Sequence, residues 1–444
     1  MKGAAMKPVV AKFGGSSLAD ANQFRKVADI IRADSRRRYV VASAPGKRDS
    51  GDTKVTDLLY RCCDLAAAGG DFTPVLEQIR TRFEGIIHDL GLTFDLENEL
   101  AAIAAHLRDK PKREYMASRG EYLNSKLLAS YLGYEFLDAA EAVRFLPDGR
   151  FLAEETNARL SDTLSHLEHA VIPGFYGADA AGTVHTFSRG GSDVTGALVA
   201  RAVNARLYEN WTDVSGMLFT DPRIVSNPGT IDYITYKELR ELSYMGASVL
   251  HEDAVFPVRA AGIPINIRNT NRPADAGTVI SHDLPATAAQ SPVTGVAGRK
   301  GFASLQVELS LMNNEIGYGA RLLNILAAHG VPFEHCPTGI DTISVVVDAA
   351  AFNACREAVL RQIELQLHPD HLSVEEGLAM IAVVGHGMGG RKGIAGRIFS
   401  AVAEAGVNIR MIDQGSSELN IIIGVDESDY EAAVRGICRA VHES

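Results

Sequence analysis

Short apolar runs alternate with longer amphipathic segments along the N-terminal two thirds of the chain. The runs 9–13, 39–44 and 170–175 are apolar at almost every position, as expected for strands buried in a sheet. In the intervening segments 19–33 and 72–107 the apolar residues return every three or four positions, which is the period of a helix packed on one face. This alternation predicts a sheet with a parallel centre, extended by a strand at 206–210 and a last strand at 264–270.

The C-terminal third repeats its own pattern. GYGARLLNILAAHGVPFEH at 317–335 corresponds to GIAGRIFSAVAEAGVNIRM at 393–411, and the apolar run 344–347 corresponds to 420–423. Each copy of about 70 residues predicts strand, glycine-rich loop, helix, strand, strand and helix, an α+β unit that resembles the ACT domain. Such units pair side by side and bind an amino acid at the loop before the first helix. The small, polar, proline-bounded run 284–292 predicts a linker before the first copy.

Composition and charge exclude several classes of protein. The 444 residues are 46% hydrophobic and 22% charged, which is typical of a globular chain of two or three domains. The formal net charge of −11 argues against a nucleic-acid partner, because the one basic triplet, 36–38, is short and predicts a solvated helix end. No apolar run reaches the roughly 18 residues of a membrane span, and 1–8 lacks a signal core, so we expect a cytoplasmic protein. Five cysteines without a CxxC pair predict neither a disulfide framework nor a zinc site.

The first strand ends in a glycine turn. Lys12 precedes Gly14 and Gly15, and Ser16 or Ser17 can cap the helix that follows. Several N–H groups would then point at one spot that suits a phosphate, at the end of the strand where open α/β sheets bind ligands. The lysine comes before the glycines, so this is not a Walker P-loop. On its own the stretch is equally consistent with an ordinary strand-to-helix turn.

Further polar groups stand at later turns. Arg189 and Asp193 flank a second glycine pair before an apolar helix at 196–202, where an arginine fork and backbone N–H groups can hold a carboxylate or phosphate. Ser118 is a candidate helix cap with Glu121 as its capping-box partner, and capping alone could account for Glu121. Two aspartate-containing loops, 211–216 and 219–223, follow the strand at 206–210 and predict a wall of a nucleotide site.

Five motifs occur in a fixed order: KFGGSS at 12–17, SRGE at 118–121, SRGGSD at 188–193, WTDVSGMLFTDPR at 211–223 and GASVLH at 246–251. In this order they resemble the aspartate kinases of the amino-acid kinase family over residues 7 to about 285, and the C-terminal repeat also fits. The resemblance implies an α/β fold, with a three-layer αβα kinase domain around a mainly parallel central sheet, followed by two α+β ACT-like domains. We expect the kinase domain at 1–285, the linker and first ACT-like unit at 286–375, and the second unit at 376–444.

The implied reaction transfers the γ-phosphoryl group of MgATP to the β-carboxylate of L-aspartate, giving 4-phospho-L-aspartate, the first step towards lysine, threonine and methionine. That carboxylate is already ionised at neutral pH, so it needs no general base. The reaction needs cations and amide donors around the phosphoryl group instead. Mg²⁺ is expected to arrive with ATP, with no metal site belonging to the protein.

The same resemblance assigns roles to individual residues. The catalytic pair is Lys12 and Asp193. The nucleotide site comprises Lys12, Gly14, Gly15, Ser16, Thr212, Asp213 and Arg223, and the aspartate pocket comprises Thr56, Glu121, Phe175, Arg189 and Ser192. Two positions depart from the family pattern: Ser248 stands where many relatives have a lysine that reaches the nucleotide, and Leu218 stands where they have an aromatic residue. We hypothesise that Lys47 or Arg48 supplies the missing charge.

The resemblance also implies feedback inhibition by L-lysine, L-threonine or both. We expect the effector at the first ACT-like unit, around Asn313, Asn314, Gly317, Tyr318 and Glu334. Glu334 would suit the side-chain ammonium of lysine, although a solvated acid at a strand edge is an alternative. Paired ACT units make a homodimer or a homotetramer the expected assembly.

The sequence leaves three other functions to consider. GHGMGG at 385–390 after an apolar strand fits the dinucleotide fingerprint, with Asp413 at the end of the next strand. However, too little chain remains for a dehydrogenase, Asp413 lies beyond the usual spacing of about 20 residues, and the first repeat lacks these glycines. The fold could also serve a kinase for another amino-acid carboxylate such as glutamate. A sensor that has lost catalysis is the third possibility, which Ser248 and Leu218 leave open.

Overall fold

The structure is a computed structural model that describes residues 6–109, 111–188, 190–247, 250, 252–285 and 291–442. The chain forms two compact units. The first comprises Met1–Met217, Thr230–Tyr236 and Val249–Leu284, and the second comprises Leu218–Gly229, Lys237–Ser248 and Pro285–Ser444. No helix of the described residues is both long and apolar enough to cross a membrane.

Strands and helices alternate in the part of the chain that ends near residue 281. The strands are β1 (Val9–Phe13), β2 (Arg37–Ala42), β3 (Glu135–Phe136), β4 (Ala170–Pro173), β5 (Tyr176–Ala178), β6 (Val184–Thr186), β7 (Leu207–Thr212), β8 (Tyr233–Thr235), β9 (Ile265–Asn269) and β10 (Thr278–Ser281). The helices are α1 (Ala21–Arg32), α2 (Val55–Ala67), α3 (Thr73–Leu90), α4 (Leu96–Asp109), α5 (Arg113–Leu132), α6 (Ala139–Ala142), α7 (Ala153–Ser165), α8 (Gly191–Ala202), α9 (Tyr236–Tyr244) and α10 (Glu252–Ala260).

Eight of these strands form one sheet in the order β3-β4-β2-β1-β7-β9-β10-β8. Neighbouring strands are parallel except β9 and β10, so the predicted parallel centre is confirmed. The prediction that 264–270 would be the last strand is wrong, because β10 follows and pairs antiparallel with β9. β5 and β6 form a separate antiparallel hairpin.

The two faces of the sheet are covered by different helices. Ala11 and Phe13 of β1 lie in an apolar cluster with residues of α1 to α5. Side chains alternate along a strand, so Lys12 between them points to the other face, where its ammonium meets Asp193 of α8. The first compact unit therefore has the expected three layers, with the lysine on the α8 side.

The basic triplet is not a solvated helix end, as the sequence had suggested. Arg37 begins β2 and is buried, and its Nε and Nη2 donate to the Glu209 carboxylate at 2.7 and 3.0 Å. Its Nη1 donates to the Ile30 carbonyl at 2.5 Å, and Trp211 Nε1 donates to the same Glu209 at 2.9 Å. The prediction was wrong because Glu209, far away in sequence, neutralises the arginine inside the fold.

Two predicted helix starts are also wrong. A short 3₁₀ turn at Gly15–Leu18 precedes α1, and the side chain that caps α1 is Asp20, which accepts from the Gln23 N–H at 2.9 Å. Helix α5 begins at Arg113, well ahead of Ser118. Glu121 therefore lies in a helix interior, and the capping explanation for it fails.

The second unit contains a six-stranded antiparallel sheet. Its strands are β11 (Gly295–Glu308), β12 (Phe333–His335), β13 (Thr342–Asp348), β14 (His371–Val384), β15 (Met411–Asp413) and β16 (Asn420–Asp426), in the order β12-β13-β11-β14-β16-β15. The helices are α11 (Tyr318–Ala328), α12 (Ala349–Asn353), α13 (Arg356–Leu367), α14 (Ile394–Glu404) and α15 (Tyr430–His442). The two repeat copies form two apolar cores, and the long strands β11 and β14 contribute residues to both. The α+β repeat predicted from the sequence is confirmed.

The glycine-rich segment 385–390 belongs to this antiparallel sheet. It follows β14, and Asp413 ends β15; both strands pair antiparallel with β16. A dinucleotide fingerprint needs a parallel βαβ unit. The dehydrogenase interpretation is therefore excluded, and the glycines form a loop of the second ACT-like copy.

Candidate active site

The candidate site lies where the carboxyl ends of β1, β2, β4 and β7 meet. In the strand order, the chain runs from β1 outwards through β2 and β4 on one side, and the later strands β7 and β9 are added on the other side of β1. Such a switch point opens a crevice beyond the carboxyl ends of parallel strands. Lys12 and the glycine turn stand at the end of β1.

The structure brings the predicted catalytic pair together. Lys12 Nζ lies 2.5 Å from Asp193 Oδ1, and the lysine side chain is only 9% exposed. Asn210 of β7 joins them: its Nδ2 donates to Asp193 Oδ1 at 2.9 Å, and its Oδ1 accepts from Lys12 Nζ at 3.4 Å. Asn210 was missed from the sequence, although its position two residues before Thr212 at the end of a predicted strand was a usable signal.

The glycine turn is packed so closely that a side chain would clash at Gly15 and at the adjoining Gly46. The Gly14 N–H donates to the Trp211 carbonyl at 2.9 Å, and the Gly46 N–H donates to the Gly15 carbonyl at 2.8 Å. A Cβ on Gly15 would lie 2.9 Å from the Ala44 carbonyl oxygen, and a Cβ on Gly46 would lie 2.5 Å from the Gly15 carbonyl carbon. The turn is thus wedged between the ends of β2 and β7, as a rigid phosphate cradle requires. Ser16 lies within the 3₁₀ turn and is partly exposed.

The second glycine turn places Ser192 beside Phe175. Phe175 has a φ of +81°, a left-handed conformation that is strained for a bulky residue. Its N–H donates to Thr195 Oγ1 at 3.1 Å, and a Cβ on Gly191 would come within 2.3 Å of its ring. A Cβ on Gly174 would likewise come within 2.6 Å of Ser192 Oγ. Strain of this kind persists only where the surrounding packing fixes it, which is typical of a binding site.

Helix α8 begins at Gly191, earlier than the predicted 196, so Asp193 lies in its first turn. A carboxylate in the first turn of a helix is stabilised by the helix dipole. The predicted carboxylate fork, Arg189, lies outside the described residues, and so does Ser248.

Glu121 is a buried acid with an unused oxygen. The residue is 6% exposed, and its Oε2 has no hydrogen-bond partner among the described residues. Burial raises its pKa to about 8, against smaller opposing effects from its own backbone N–H, that of Ala44 and the charge of Arg119. Neighbouring Gly120 packs on Ala44 and Val55, and partly exposed Thr56 follows Val55 in the first turn of α2.

The predicted nucleotide residues fall into two groups. Thr212 ends β7, and its hydroxyl donates to the carboxylate of exposed Asp213 at 3.2 Å; Asn269 Nδ2 donates to the Asp213 carbonyl at 3.2 Å. Arg223 belongs to the second compact unit, where its guanidinium pairs with Asp221 at 2.6 Å and its side chain is 88% exposed. Thr212 and Asp213 thus lie at the end of β7 in the first unit, and Arg223 lies in the second unit.

The polar loop 47–54 is held by an arginine that was not predicted. Asp52 accepts from Arg48 Nε at 2.9 Å and also pairs with Arg82 of α3. Buried Arg82 donates in addition to the carbonyls of Gly46 at 2.5 Å and Ala19 at 3.2 Å. Arg82 thereby connects the loop to Gly46, which packs against the glycine turn. Lys47 is exposed.

The predicted effector residues lie in the second unit. Asn313 and Asn314 form an exposed 3₁₀ turn with Met312, and Gly317, with a φ of +80°, precedes α11. Tyr318 is buried, and its hydroxyl has no hydrogen-bond partner among the described residues.

The Glu334 carboxylate is not a solvated acid. The side chain is only 6% exposed, and its Oε1 lies 3.4 Å from Arg299 Nη2. Its other oxygen accepts from the Tyr244 hydroxyl, and burial, followed by this hydrogen bond, raises the pKa of Tyr244 to about 12. The alternative of a solvated strand-edge acid is therefore wrong.

Within the described ranges, no group of three or more His, Cys, Asp or Glu side chains could hold a metal ion. Mg²⁺ commonly binds proteins through one or two carboxylates together with the phosphates of a nucleotide.

Comparison with known proteins agrees with this architecture. Residues 7–269 match the amino acid kinase family, and residues 381–441 match the ACT domain. Aspartokinase 3 of Bacillus subtilis (strain 168) is 40% identical over 96% of this chain and 97% of its own length. Lysine-sensitive aspartokinase 3 of Escherichia coli (strain K12) is 30% identical over 96% and 97%. The crystal structure of Clostridium acetobutylicum aspartate kinase, 47% identical, superposes with a TM-score of 0.89 and covers 98% of this chain and 100% of its own.

Proposed function

The chain belongs to the amino acid kinase family and, within it, to the aspartokinases, and we propose that it transfers the γ-phosphoryl group of MgATP to the β-carboxylate of L-aspartate. The observation that carries the proposal is the ion pair between buried Lys12 and partly exposed Asp193, at 2.5 Å, beside the glycine turn. A phosphoryl-transfer site needs a fixed cation and amide donors directed at the same point. Lys12 would supply the cation, and the glycine turn beside it would supply N–H donors other than that of Gly14, which already donates to the Trp211 carbonyl.

In the proposed reaction a β-carboxylate oxygen of aspartate attacks the γ-phosphorus, and the bond to the β,γ-bridging oxygen breaks. Negative charge moves towards the leaving ADP, where Lys12 stabilises it. Gly14, Gly15 and Ser16 hold the phosphates through the turn between β1 and α1, so the phosphoryl group and the acceptor stay in line. No general base is needed, because the acceptor is already ionised.

The amino-acid pocket is proposed to consist of Thr56, Glu121, Phe175, Arg189 and Ser192. The buried Glu121 carboxyl has the acceptor oxygen that the substrate α-ammonium would require, and a nearby cation would favour its ionised form. Thr212, Asp213 and Arg223 are proposed to line the nucleotide, with Mg²⁺ carried on its phosphates and neutralising their charge. We retain Lys47 and Arg48 as candidates for the charge that Ser248 does not supply.

We further propose feedback inhibition by L-lysine, L-threonine or both through Asn313, Asn314, Gly317 and Tyr318 at the start of α11, with Glu334 for a lysine ammonium. Support comes from the Escherichia coli relative, a lysine-sensitive aspartokinase. Because Glu334 is already paired with Arg299, an ammonium there would have to replace that guanidinium. Unchanged lysine inhibition in Glu334→Ala would remove Glu334 from the site.

The remaining parts of the proposal concern the whole protein. We propose a kinase domain at 1–285, ACT-like units at 286–375 and 376–444, and a homodimer or homotetramer in the cytoplasm. The product would enter the biosynthesis of lysine, threonine and methionine.

The test is acyl-phosphate formation, trapped with hydroxylamine as the hydroxamate, with L-aspartate and MgATP. Wild-type protein should turn over, and Lys12→Ala should lose most of the activity. Parallel assays with L-glutamate test the alternative acceptor, and assays with added L-lysine or L-threonine test regulation. Absence of turnover with either acceptor would overturn the proposal and favour the amino-acid sensor.

A further inference from the structure

Asn210 occupies the position on β7 that faces the catalytic lysine. The parallel register of β1 and β7 pairs Lys12 directly with Asn210, so both side chains emerge on the α8 face of the sheet. The flanking residues Glu209 and Trp211 point the other way, where Glu209 meets Arg37. Asn210 is 4% exposed and is thus a buried amide whose hydrogen bonds are made inside the protein.

Both the nitrogen and the oxygen of the Asn210 side-chain amide form hydrogen bonds. Its Nδ2 donates to Asp193 Oδ1 at 2.9 Å, while its Oδ1 accepts from Lys12 Nζ at 3.4 Å. These two partners, which lie 2.5 Å apart, fix which end of the amide faces which group. A second residue of β7, Tyr208, holds the same aspartate by donating to the Asp193 carbonyl at 3.1 Å.

A lysine ammonium has three N–H donors. One is directed to Asp193 and one to Asn210, so the rotation of the ammonium is fixed and one donor remains for a phosphate. A Cβ on Gly14 would lie 3.7 Å from Lys12 Nζ, which shows that the ammonium borders the glycine turn. Without Asn210 the ion pair with Asp193 would persist, but nothing would set the direction of the remaining donors.

We propose that Asn210 is a positioning residue for phosphoryl transfer, which orients Lys12 and holds the Asp193 carboxylate without touching either substrate. This inference rests on the proposed kinase activity. A purely structural role would not predict which kinetic constant changes. A positioning role predicts that loss of the amide lowers kcat, while the KM values for the two substrates change little.

The experiment compares Asn210→Leu, Asn210→Asp and wild type in the hydroxamate assay. In Asn210→Leu we expect kcat to fall about 10- to 100-fold, while the KM values for L-aspartate and MgATP change by no more than about threefold. Asn266→Leu is the matched control, a similarly buried asparagine on β9 with no described hydrogen bond to Lys12 or Asp193. Its kcat should stay near the wild-type value.

The pH dependence of kcat in Asn210→Asp tests the hydrogen bonds of residue 210 separately from its packing. The groups that face position 210 are the Lys12 ammonium, the Asp193 carboxylate and the Tyr208 hydroxyl. When protonated, the new carboxylic acid can donate to Asp193 and accept from Lys12, as the amide does; when ionised, it repels Asp193. Its kcat relative to wild type should therefore rise as the pH is lowered, while the ratio for Asn210→Leu stays flat.

Three outcomes can be told apart. Inactive wild-type protein would overturn the proposed function itself. Active wild type with an Asn210→Leu kcat within twofold of it would overturn the positioning role and leave the kinase intact. If Asn210→Leu does not fold, the pH response of Asn210→Asp decides, and a flat ratio there rejects the inference.

Discussion

Replacing Glu121 by glutamine should make the protein more stable at neutral and alkaline pH. The folded protein buries this carboxyl completely, and burial raises its pKa from 4.5 to about 8. Between these two values the folded state keeps a proton that the unfolded state has lost. Stability therefore falls as the pH rises from about 4.5 to 8, and becomes insensitive to this group above about 8, where the folded state also loses the proton.

The size of the effect follows from the shift. One pKa unit corresponds to about 1.4 kcal/mol, so the full shift corresponds to about 5 kcal/mol of lost stability at high pH. From pH 5.5 to 7.5 the free energy of unfolding of the wild type should fall by about 2.7 kcal/mol relative to that of Glu121→Gln. Glutamine has nearly the same shape and never ionises, so it lacks this dependence.

The assay is chemical unfolding at several pH values, monitored through the fluorescence of Trp211. This is the only tryptophan of the sequence, and it is 1% exposed in the same compact unit as Glu121. Glu168→Gln, at an exposed glutamate of that unit, is the control and should follow the wild-type curve. If the free energies of unfolding of wild type and Glu121→Gln changed with pH in the same way, the argument that Glu121 is protonated in the free protein would be refuted.

Three further changes test other parts of the structure. Arg37→Leu leaves a buried carboxylate on β7 without its bidentate partner and should lower the free energy of unfolding by about 3–5 kcal/mol; a loss below about 1 kcal/mol would contradict this. Gly46→Ala places a Cβ 2.5 Å from the carbonyl carbon of the phosphate turn and should raise the KM for MgATP about tenfold or more, whereas Gly85→Ala, in open space on α3, should not. Lys47→Ala combined with Arg48→Ala should raise the same KM several-fold, and an unchanged value would remove this loop from the nucleotide site.

Local pattern predicted much of the fold. The apolar runs of β1, β2 and β4, the helices α3 and α4 within 72–107, and the two ACT-like copies are all confirmed. Predictions at the ends of elements were less successful. The starts of α1, α5 and α8 each differed from expectation. Asp20 caps α1, α5 begins at Arg113, well ahead of Ser118, and α8 begins inside the second glycine turn at Gly191.

The sequence by itself determined the order of strands and helices, the two glycine turns and the identity of the Lys12 and Asp193 pair, since neighbouring residues and ordered motifs carry that information. Only the tertiary structure decided that Arg37 is neutralised by Glu209, that Glu121 is a buried acid and that Asn210 hydrogen-bonds to both Lys12 and Asp193. The physical reason is that these properties depend on partners from distant parts of the chain. The strand order of the sheet brings β1, β2 and β7 side by side, and no local period in the sequence encodes that order.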